Sequence, residues 1–144
     1  MLTREDILSM IPHQGGMCLW DRVLHWDDGS VQLQAGNHRD PEHPLRHDGQ
    51  LHAIHLCEYG AQAMAVHGGL RARSHGGRAA PGVLVALREV QLHVARIDDL
   101  HGMLEAHAQV LVEAAASQQY GFRILHEGRL LAEGRAAVML QPSP

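Results

Sequence analysis

The side chains of this sequence that could move protons near neutral pH are its histidines and its acidic residues. Thirteen of the 144 residues are histidine, and they are spread along the chain. Three of them, His38, His43 and His47, lie in a polar, proline-containing stretch at residues 36–49. Long ordered loops of this kind in compact domains are often functional. A neutral imidazole in this loop could therefore act as a base.

The acidic residue that follows this loop, Glu58, lies in a segment of small and apolar residues. Residues 50–70 contain no proline and no other acidic residue, and the central sequence EYGAQAMAV is rich in alanine. Such surroundings favour the protonated form of a carboxyl group, so Glu58 is expected to hold or relay a proton. The alternative is a structural ion pair, for example with Arg88. Gln62, one helical turn further on, is expected to hydrogen-bond Glu58 or the backbone.

Hydrophobic patterns predict the elements that would position these groups. Thr3 is expected to cap a short helix that ends at Pro12. Residues 50–70 are expected to form one long helix, stopped by Gly68 and Gly69. Alternating apolar residues predict strands at residues 19–26, 31–35, 83–94, 104–114, 119–126 and 129–140. Strands kept apart from a single helix indicate an α+β fold, in which an antiparallel sheet wraps around one central helix.

Length and composition limit the class of protein. A chain of 144 residues with 45% hydrophobic and 19% charged residues is expected to form a single globular domain, residues 1–144. The net charge of −4 and the lack of a basic stripe argue against a nucleic-acid partner. No apolar run approaches the roughly 18 residues of a membrane span. Cys18 and Cys57 form no disulfide pattern, so a cytoplasmic setting is expected.

Two short stretches are similar to a known family. The sequence Ile11-Pro12-His13, followed by Asp21-Arg22-Val23, and the helical sequence Glu58-Tyr59-Gly60-Ala61-Gln62 resemble the bacterial 3-hydroxyacyl-carrier-protein dehydratases of the hotdog fold. A narrower resemblance, over residues 37–49 and 58–65, is to the ApeP-type dehydratases of aryl polyene pathways. It implies a hotdog domain that removes water from a 3-hydroxyacyl chain, carried as a thioester by an acyl carrier protein. No metal or organic cofactor is implied.

The same resemblance implies roles for residues around the start of the helix. His43 would remove the proton next to the thioester carbonyl, and Glu58 would protonate the departing hydroxyl group. The alternative bases are His47 and His38. Free N–H groups at the helix start would stabilise the developing enolate, helped by the helix dipole. The substrate-binding residues expected on this basis are Leu51, His52, Ala53 and Gln62.

Two departures from the family pattern keep other functions open. His43 precedes Glu58 by fifteen residues, one more than in the family. The Pro-Gly that begins the family's helix falls on His52 and Ala53. One alternative is a hotdog acyl thioesterase, in which Glu58 would activate water or attack the thioester. Another is a non-catalytic dehydratase-like subunit that binds acyl chains. A metal site at His52, His55, Cys57 and Glu58 would lack the spacing of known zinc motifs.

The resemblance also implies partners for this chain. Domains of this kind pair across strand edges into a continuous sheet, which removes exposed edges. This predicts a homodimer, or a heterodimer with a related hotdog subunit, with the acyl tunnel at the interface. Arg71, Arg73 and Arg78, in a loop expected at residues 71–80, could meet an acidic carrier protein. The alternative for these arginines is a solvated loop.

Overall fold

The computed structural model describes residues 2–12, 14–76 and 82–140, so that His13 and Arg78 lie outside the described residues. The described helices and strands are β1 (Leu2–Thr3), α1 (Arg4–Leu8), β2 (Arg22–Trp26), β3 (Ser30–Ala35), α2 (Leu56–Ser74), β4 (Gly82–Leu92), β5 (Leu104–Glu113), β6 (Ser117–His126) and β7 (Arg129–Leu140). Single turns of 3₁₀ helix lie in the connections, at Gly15–Met17, Asn37–Arg39 and Ala53–His55.

The strands form one antiparallel sheet in the order β1-β2-β3-β5-β6-β7-β4. The chain leaves the sheet after β3, passes through α2, returns as the edge strand β4, and crosses back to place β5 beside β3. Helix α2 packs against β3, β5, β6 and β7. The predicted α+β architecture, an antiparallel sheet around one long helix, is therefore confirmed.

The alternating pattern that predicted the strands decides which face of the sheet meets the helix. In β3, Val31, Leu33 and Ala35 are buried, and the residues between them are not. Val31 and Leu33 lie opposite Ala108 and Ala106 of β5, which are also buried. A strand with a period of two turns one face to the core. The inner face of the sheet therefore covers α2 with small and branched side chains.

The small residues of α2 allow one large ring to fill the space between helix and sheet. Phe122, the single phenylalanine of the chain, is buried on β6. A Cβ atom added to Gly60 of α2 would lie 2.6 Å from Cδ2 of Phe122. One added to Gly134 of β7 would lie 3.0 Å from the same ring. The ring therefore packs directly against the backbones of both elements, and this explains why position 60 of α2 holds glycine.

The predicted end of the long helix is wrong, because Gly68 and Gly69 do not stop it. The helix continues to Ser74. A Cβ atom on Gly69 would lie 2.9 Å from Cβ of Met10, so glycine permits close approach of the N-terminal segment at this point. Arg71 is consequently helical, and its guanidinium group binds Glu113 of β5 and Asp28. It is not the loop cation expected to meet a carrier protein.

The predicted start of the helix at residue 50 is also wrong, because α2 begins at Leu56. Before it, Ala53–His55 form a 3₁₀ turn, and the extended residue His52 lies opposite Arg96 in the chain that follows β4. The Ile97 amide donates to the carbonyl of Leu51 at 3.0 Å, and the Ala53 amide donates to the carbonyl of Ala95 at 3.0 Å. These long-range bonds stabilise extended backbone where local sequence favours helix.

Most of the remaining strand boundaries agree with the sequence patterns, but β2 begins at Arg22, three residues after its predicted start. Strands β5, β6 and β7 lie within about two residues of their predicted bounds. Thr3 is the N-cap of α1, as predicted, and its amide donates to the Asp6 carboxylate at 2.9 Å. The helix ends earlier than predicted, at Leu8. None of the helices in the described ranges is both long and apolar enough to cross a membrane.

Candidate active site

His43 lies in the loop between β3 and α2, and only 5% of its surface is exposed. Its Nδ1 atom accepts the amide hydrogen of Leu45 at 3.1 Å. Its Nε2 atom lies 3.0 Å from the hydroxyl oxygen of Tyr59 on α2. Burial, assisted by the charge of Arg46, lowers the pKa of His43 below its ordinary value. The ring is therefore neutral at pH 7, as a base must be.

The partners of Tyr59 decide which nitrogen of His43 carries the proton. The Tyr59 hydroxyl donates to Oδ1 of Asn37 at 2.7 Å. The amide group of Asn37 donates to the carbonyl of Leu19 at 2.8 Å, and a carbonyl can only accept, so this fixes the orientation of Asn37. Since the hydroxyl hydrogen is given to Asn37, the Tyr59 oxygen accepts from Nε2–H of His43. The lone pair of the ring is at Nδ1.

Glu58 lies in the first turn of α2, and its side chain is half-buried. Gln62, which is fully buried, donates to Oε1 of Glu58 at 3.2 Å. It also donates to the carbonyl of Met17 at 2.7 Å and accepts the amide hydrogen of Leu19 at 2.8 Å. The predicted hydrogen bonds from Gln62 to Glu58 and to the backbone are both confirmed.

The two candidate groups, His43 and Glu58, are each linked by hydrogen bonds to the backbone of Leu19, His43 to its carbonyl side and Glu58 to its N–H side. Both nitrogens of the His43 ring are engaged with Leu45 and Tyr59, so the path from His43 to Glu58 is indirect. It runs through the residues His43, Tyr59, Asn37, Leu19, Gln62 and Glu58 in that order. The loop that carries Leu19 is therefore the link between the histidine and the carboxyl group.

The backbone amides expected to be free at the helix start are largely occupied. The amide of Leu51 donates to Oδ1 of Asp98 at 2.9 Å, and the amide of Ala53 donates to the carbonyl of Ala95. The expectation that these two N–H groups are free is therefore wrong, because the segment pairs with the chain after β4. No described residue accepts the amide hydrogen of His52, whose side chain is exposed.

The two alternative bases occupy contrasting positions. His38 is fully buried, and its Nε2 atom donates to the carbonyl of Leu100 at 2.8 Å. Its Nδ1 atom has no hydrogen-bond partner among the described residues. Burial lowers the pKa of His38, so this ring is also neutral at pH 7. The side chain of His47 is exposed, and its Nε2 atom lies 3.4 Å from Oδ2 of Asp48.

Comparison with known proteins identifies the family. The model of a family described as ApeP-like, ApeP dehydratase, matches residues 5–143. The chain belongs to the ApeP-like dehydratase family. Among curated proteins, none matches the chain.

Solved structures similar to this ApeP-like chain show the hotdog fold. The dehydratase heterocomplex ApeI:P from Xenorhabdus doucetiae has 24% sequence identity and a TM-score of 0.81, over 92% of this chain and 89% of that one. A hypothetical thioesterase with coenzyme A from Streptococcus pneumoniae has 16% identity and a TM-score of 0.60, over 85% and 86%. The phenylacetic acid degradation protein PaaI from Thermus thermophilus has 20% identity and a TM-score of 0.59, over 83% and 92%.

Sequence reasoning about this ApeP-like chain missed Asn37 and Tyr59 as parts of the site. Both residues lie in the stretches that resemble the family, but no role was predicted for either of them. A tyrosine within a buried helix of small residues is a usable signal, since its hydroxyl needs a partner when it is buried. The identity of that partner depends on the path of the loop, and the sequence does not show that path.

The cleft on the outer face of the sheet lies apart from this site. A cleft of about 520 Å³ opens on the outer face of the sheet, lined among others by Gln32, His107, Arg123 and Glu133. None of the candidate catalytic residues lines this cleft, so we do not assign the reaction to it. Among the residues that the structure describes, no three histidine, cysteine or acidic side chains gather as metal ligands would.

Proposed function

We propose that this chain dehydrates a 3-hydroxyacyl thioester on an acyl carrier protein and gives the trans-2-enoyl thioester. The observation that carries the proposal is that a buried, neutral His43 and a half-buried Glu58 at the start of α2 are both held, through their hydrogen-bond partners, against the backbone of Leu19. The chemistry needs one group that accepts a proton and one that donates a proton. Membership of a dehydratase family supports the same reaction class.

In the proposed reaction His43 removes a proton from the carbon next to the thioester carbonyl. The electron pair of that C–H bond forms the new carbon–carbon double bond, and the bond to the 3-hydroxyl group breaks. Glu58 donates a proton to the leaving oxygen, which departs as water. Loss of a proton from the His43 imidazolium to solvent and uptake of a proton from solvent by the Glu58 carboxylate then restore both groups. Because the lone pair of His43 is at Nδ1, substrate must displace the Leu45 amide from this atom.

The thioester carbonyl also needs a hydrogen-bond donor as negative charge develops on its oxygen. Of the three amides proposed at the helix start, those of Leu51 and Ala53 are occupied. The His52 amide is therefore the donor we favour. Substrate contacts of Leu51, Ala53 and Gln62 stay predictions.

A second candidate function is that of a dehydratase-like subunit that depends on a partner. It is favoured by the burial of His43, which leaves 5% of that residue exposed in the single chain. A similar solved structure is described as a dehydratase heterocomplex. Under this alternative, the chain would bind acyl groups or complete a partner's site without turnover of its own.

The edge strand β4 is the surface we propose for such a partner or for a second copy of this chain. It ends the sheet and leaves one side of its backbone unpaired by any described strand. Its exposed apolar residues are Val83, Leu84, Val85 and Leu87. Pairing of two such edges would satisfy the backbone and cover these side chains.

The experiment that tests the proposed function is hydration of a trans-2-enoyl thioester, followed by loss of absorbance of the conjugated thioester. The variants are His43→Ala and Glu58→Gln, and the matched controls at exposed positions are His101→Ala and Asp99→Asn. We expect both site variants to lose about a hundredfold or more in rate, as loss of a base or acid predicts. The controls should keep the wild-type rate.

The other outcomes separate the alternatives. Release of free thiol, in place of hydration, would identify a thioesterase. If folded wild-type protein does neither, with both small and carrier-bound substrates, the claim of an enzyme acting alone is wrong. If only His43→Ala retains activity, the base is misassigned, and His38 and His47 are the next variants to measure.

A further inference from the structure

The loop at residues 36–50, between β3 and α2, carries His43 and is shaped by its own turns. The amides of Asp40, His43 and Arg46 each donate to the carbonyl three residues earlier, at 3.0–3.1 Å. Bonds of this kind join neighbouring residues of the same loop. They determine its shape, but they do not fix its place on the rest of the fold.

The first end of this loop is held by a carboxylate. The Gly36 amide, directly after β3, donates to Oδ2 of Asp21 at 2.9 Å. The other oxygen of Asp21 accepts from Arg4 at 3.1 Å, and the Asp21 amide donates to the carbonyl of Gln34 at 3.0 Å. Within the described part of the chain, the Gly36 amide is the only backbone group of residues 36–50 that bonds outside the loop. No second backbone bond therefore duplicates the contact with Asp21.

The second end of the loop is held in the same way. The Leu51 amide donates to Oδ1 of Asp98 at 2.9 Å, and the guanidinium group of Arg96 binds both oxygens of that carboxylate. The side chain of Asp98 is only 5% exposed. The Arg96 guanidinium lowers the pKa of Asp98 far below its ordinary value, so the group is ionised at pH 7. Here the Leu51 carbonyl also accepts from Ile97, so this end has a second bond.

The two ends thus share one arrangement, a carboxylate that binds an arginine and a backbone amide of the loop. Hydrogen bonds to an ionised acceptor are shorter and stronger than those between neutral groups. The arginine holds the carboxylate in place, and the carboxylate holds the amide. Fixing both ends of a segment reduces the number of conformations open to the residues between them. His43 lies near the middle of this segment, so its position depends on both ends.

We propose that Asp21 and Asp98 are positioning residues, which clamp the two ends of the loop and so hold His43 and the His52 amide in place for the reaction. The inference rests on the proposed function, in which His43 is the base and the His52 amide binds the thioester oxygen. Each aspartate acts through a backbone amide at one end of the loop. This assigns a role to the aspartate of the sequence Asp21-Arg22-Val23.

Hydrogen exchange of single backbone amides, measured by NMR on the full-length protein, tests the two clamps directly. Asp21→Leu removes the acceptor of the Gly36 amide, and Asp98→Leu removes that of the Leu51 amide. Each change should speed exchange of its own amide by about tenfold or more, since a hydrogen bond to a charged group is lost. Asn at either position keeps an oxygen that can accept, so it should retain much of the protection.

Kinetic measurements in the hydration assay separate positioning from stability. We expect Asp21→Leu to lower kcat by about 10- to 100-fold with little change in KM, because a small displacement of a reacting group costs rates of this order. Asp98→Leu should lower kcat less, because Leu51 keeps its bond from Ile97. Asp21→Asn should recover most of the rate that Asp21→Leu loses.

A matched control is the ion pair of Arg71 and Glu113. It is also an arginine–carboxylate pair, and Arg71 lies about 20 Å along α2 from Glu58. Glu113→Leu makes the same substitution in the same kind of pair, away from the loop. It should lower the free energy of unfolding and leave kcat and the exchange of the Gly36 amide unchanged.

The outcomes distinguish this inference from the proposed function. Unchanged exchange of the Gly36 amide in Asp21→Leu, or unchanged kcat in that variant of an active enzyme, would overturn the positioning role. An equal loss of kcat in Glu113→Leu would also overturn it, since the effect would then be one of stability. Inactive wild-type protein with faster exchange in the variants would reject the proposed function and leave the clamps in place. If Asp21→Leu fails to fold, Arg4→Met carries the test, because it frees the same carboxylate and should speed exchange of the Gly36 amide.

Discussion

The hydroxyl of Tyr120 lies 2.7 Å from Nδ1 of His67, deep between α2 and β6. Nε2 of His67 lies 2.8 Å from the carbonyl of Asp27, and because a carbonyl only accepts, the ring hydrogen is on Nε2. Tyr120 therefore donates to Nδ1. Burial lowers the pKa of His67 and raises that of Tyr120 to about 12, so both groups are neutral in the fold. The pair connects the helix to the β2–β3 turn without any formal charge.

The buried histidines make stability depend on pH. The pKa values of His38, His43 and His67 are all lowered in the fold, with burial as the largest cause. As pH falls below about 6.5, the unfolded chain takes up protons that the folded chain does not, so the free energy of unfolding falls. Above that pH, the rings are neutral in both states and this dependence disappears. Each histidine contributes a slope of at most about 1.4 kcal/mol per pH unit.

Denaturant unfolding between about pH 7.5 and pH 5.5 measures this slope. His67→Gln should reduce it, whatever its effect on stability at pH 7, and exposed His101→Gln should not. Carboxyl groups affect the free energy of unfolding in a separate, more acidic pH range. Arg71 lowers the pKa of Glu113 to about 2, so the contribution of Glu113 is lost only below about pH 4.5. An identical slope in wild type and His67→Gln would contradict the prediction.

Two glycines of α2 should respond to alanine in opposite directions. A Cβ atom on Gly60 would lie 2.6 Å from the buried ring of Phe122, and overpacking of this kind costs about 1–3 kcal/mol. Gly68 has nothing within 4 Å of the added atom, so Gly68→Ala should stabilise the helix by about 0.5–1 kcal/mol. Thermal unfolding of both variants checks the difference. Phe122→Leu should recover part of the loss in Gly60→Ala, and equal behaviour of the two glycines would refute the packing argument.

The sequence contained most of the fold because its strongest signals are local. Strands β5, β6 and β7 alternate over ten residues or more, and their bounds were predicted closely. The start of α2 was not predicted, since Leu51 and Ala53 bond to residues more than 40 positions away. Its end was mispredicted because the close contact of Gly69 with Met10 is invisible in local sequence.

The site was predictable in its residue types and not in its connections. His43 and Glu58 were recognisable as chemical groups in a loop and a small-residue helix. Tyr59 and Asn37 are 22 residues apart, in α2 and in the 3₁₀ turn Asn37–Arg39 of the preceding loop, and nothing local in the sequence marks the bond between them. The amides at the helix start were expected to be free because nothing local marks their pairing with the chain after β4.

Gln62 should contribute to stability well beyond its size. It makes three hydrogen bonds, to Leu19, Met17 and Glu58, from a fully buried position. Gln62→Ala leaves the Leu19 amide and the Met17 carbonyl without this partner, which should cost about 2 kcal/mol or more. Gln109→Ala, on an exposed site of β5, is the control and should change stability by about 0.5 kcal/mol or less. The free energy of unfolding of both variants is measured by urea denaturation. Equal losses in the two variants would show that the Leu19 loop is held by other contacts.

The edge strand β4 should determine oligomeric state. Val85 lies on this strand with 55% of its surface exposed, and Val83 and Leu87 are exposed on either side of it. If two edges pair, Val85→Lys places charges in the interface and should convert dimers to monomers, as measured by light scattering after size exclusion. Gln109→Lys, on an interior strand, adds the same charge away from the edge and should leave the mass unchanged. A wild-type protein that is monomeric alone, and that gains mass when mixed with a related hotdog subunit, would favour a heterodimer. Retention of the dimer in Val85→Lys would show that copies associate through another face.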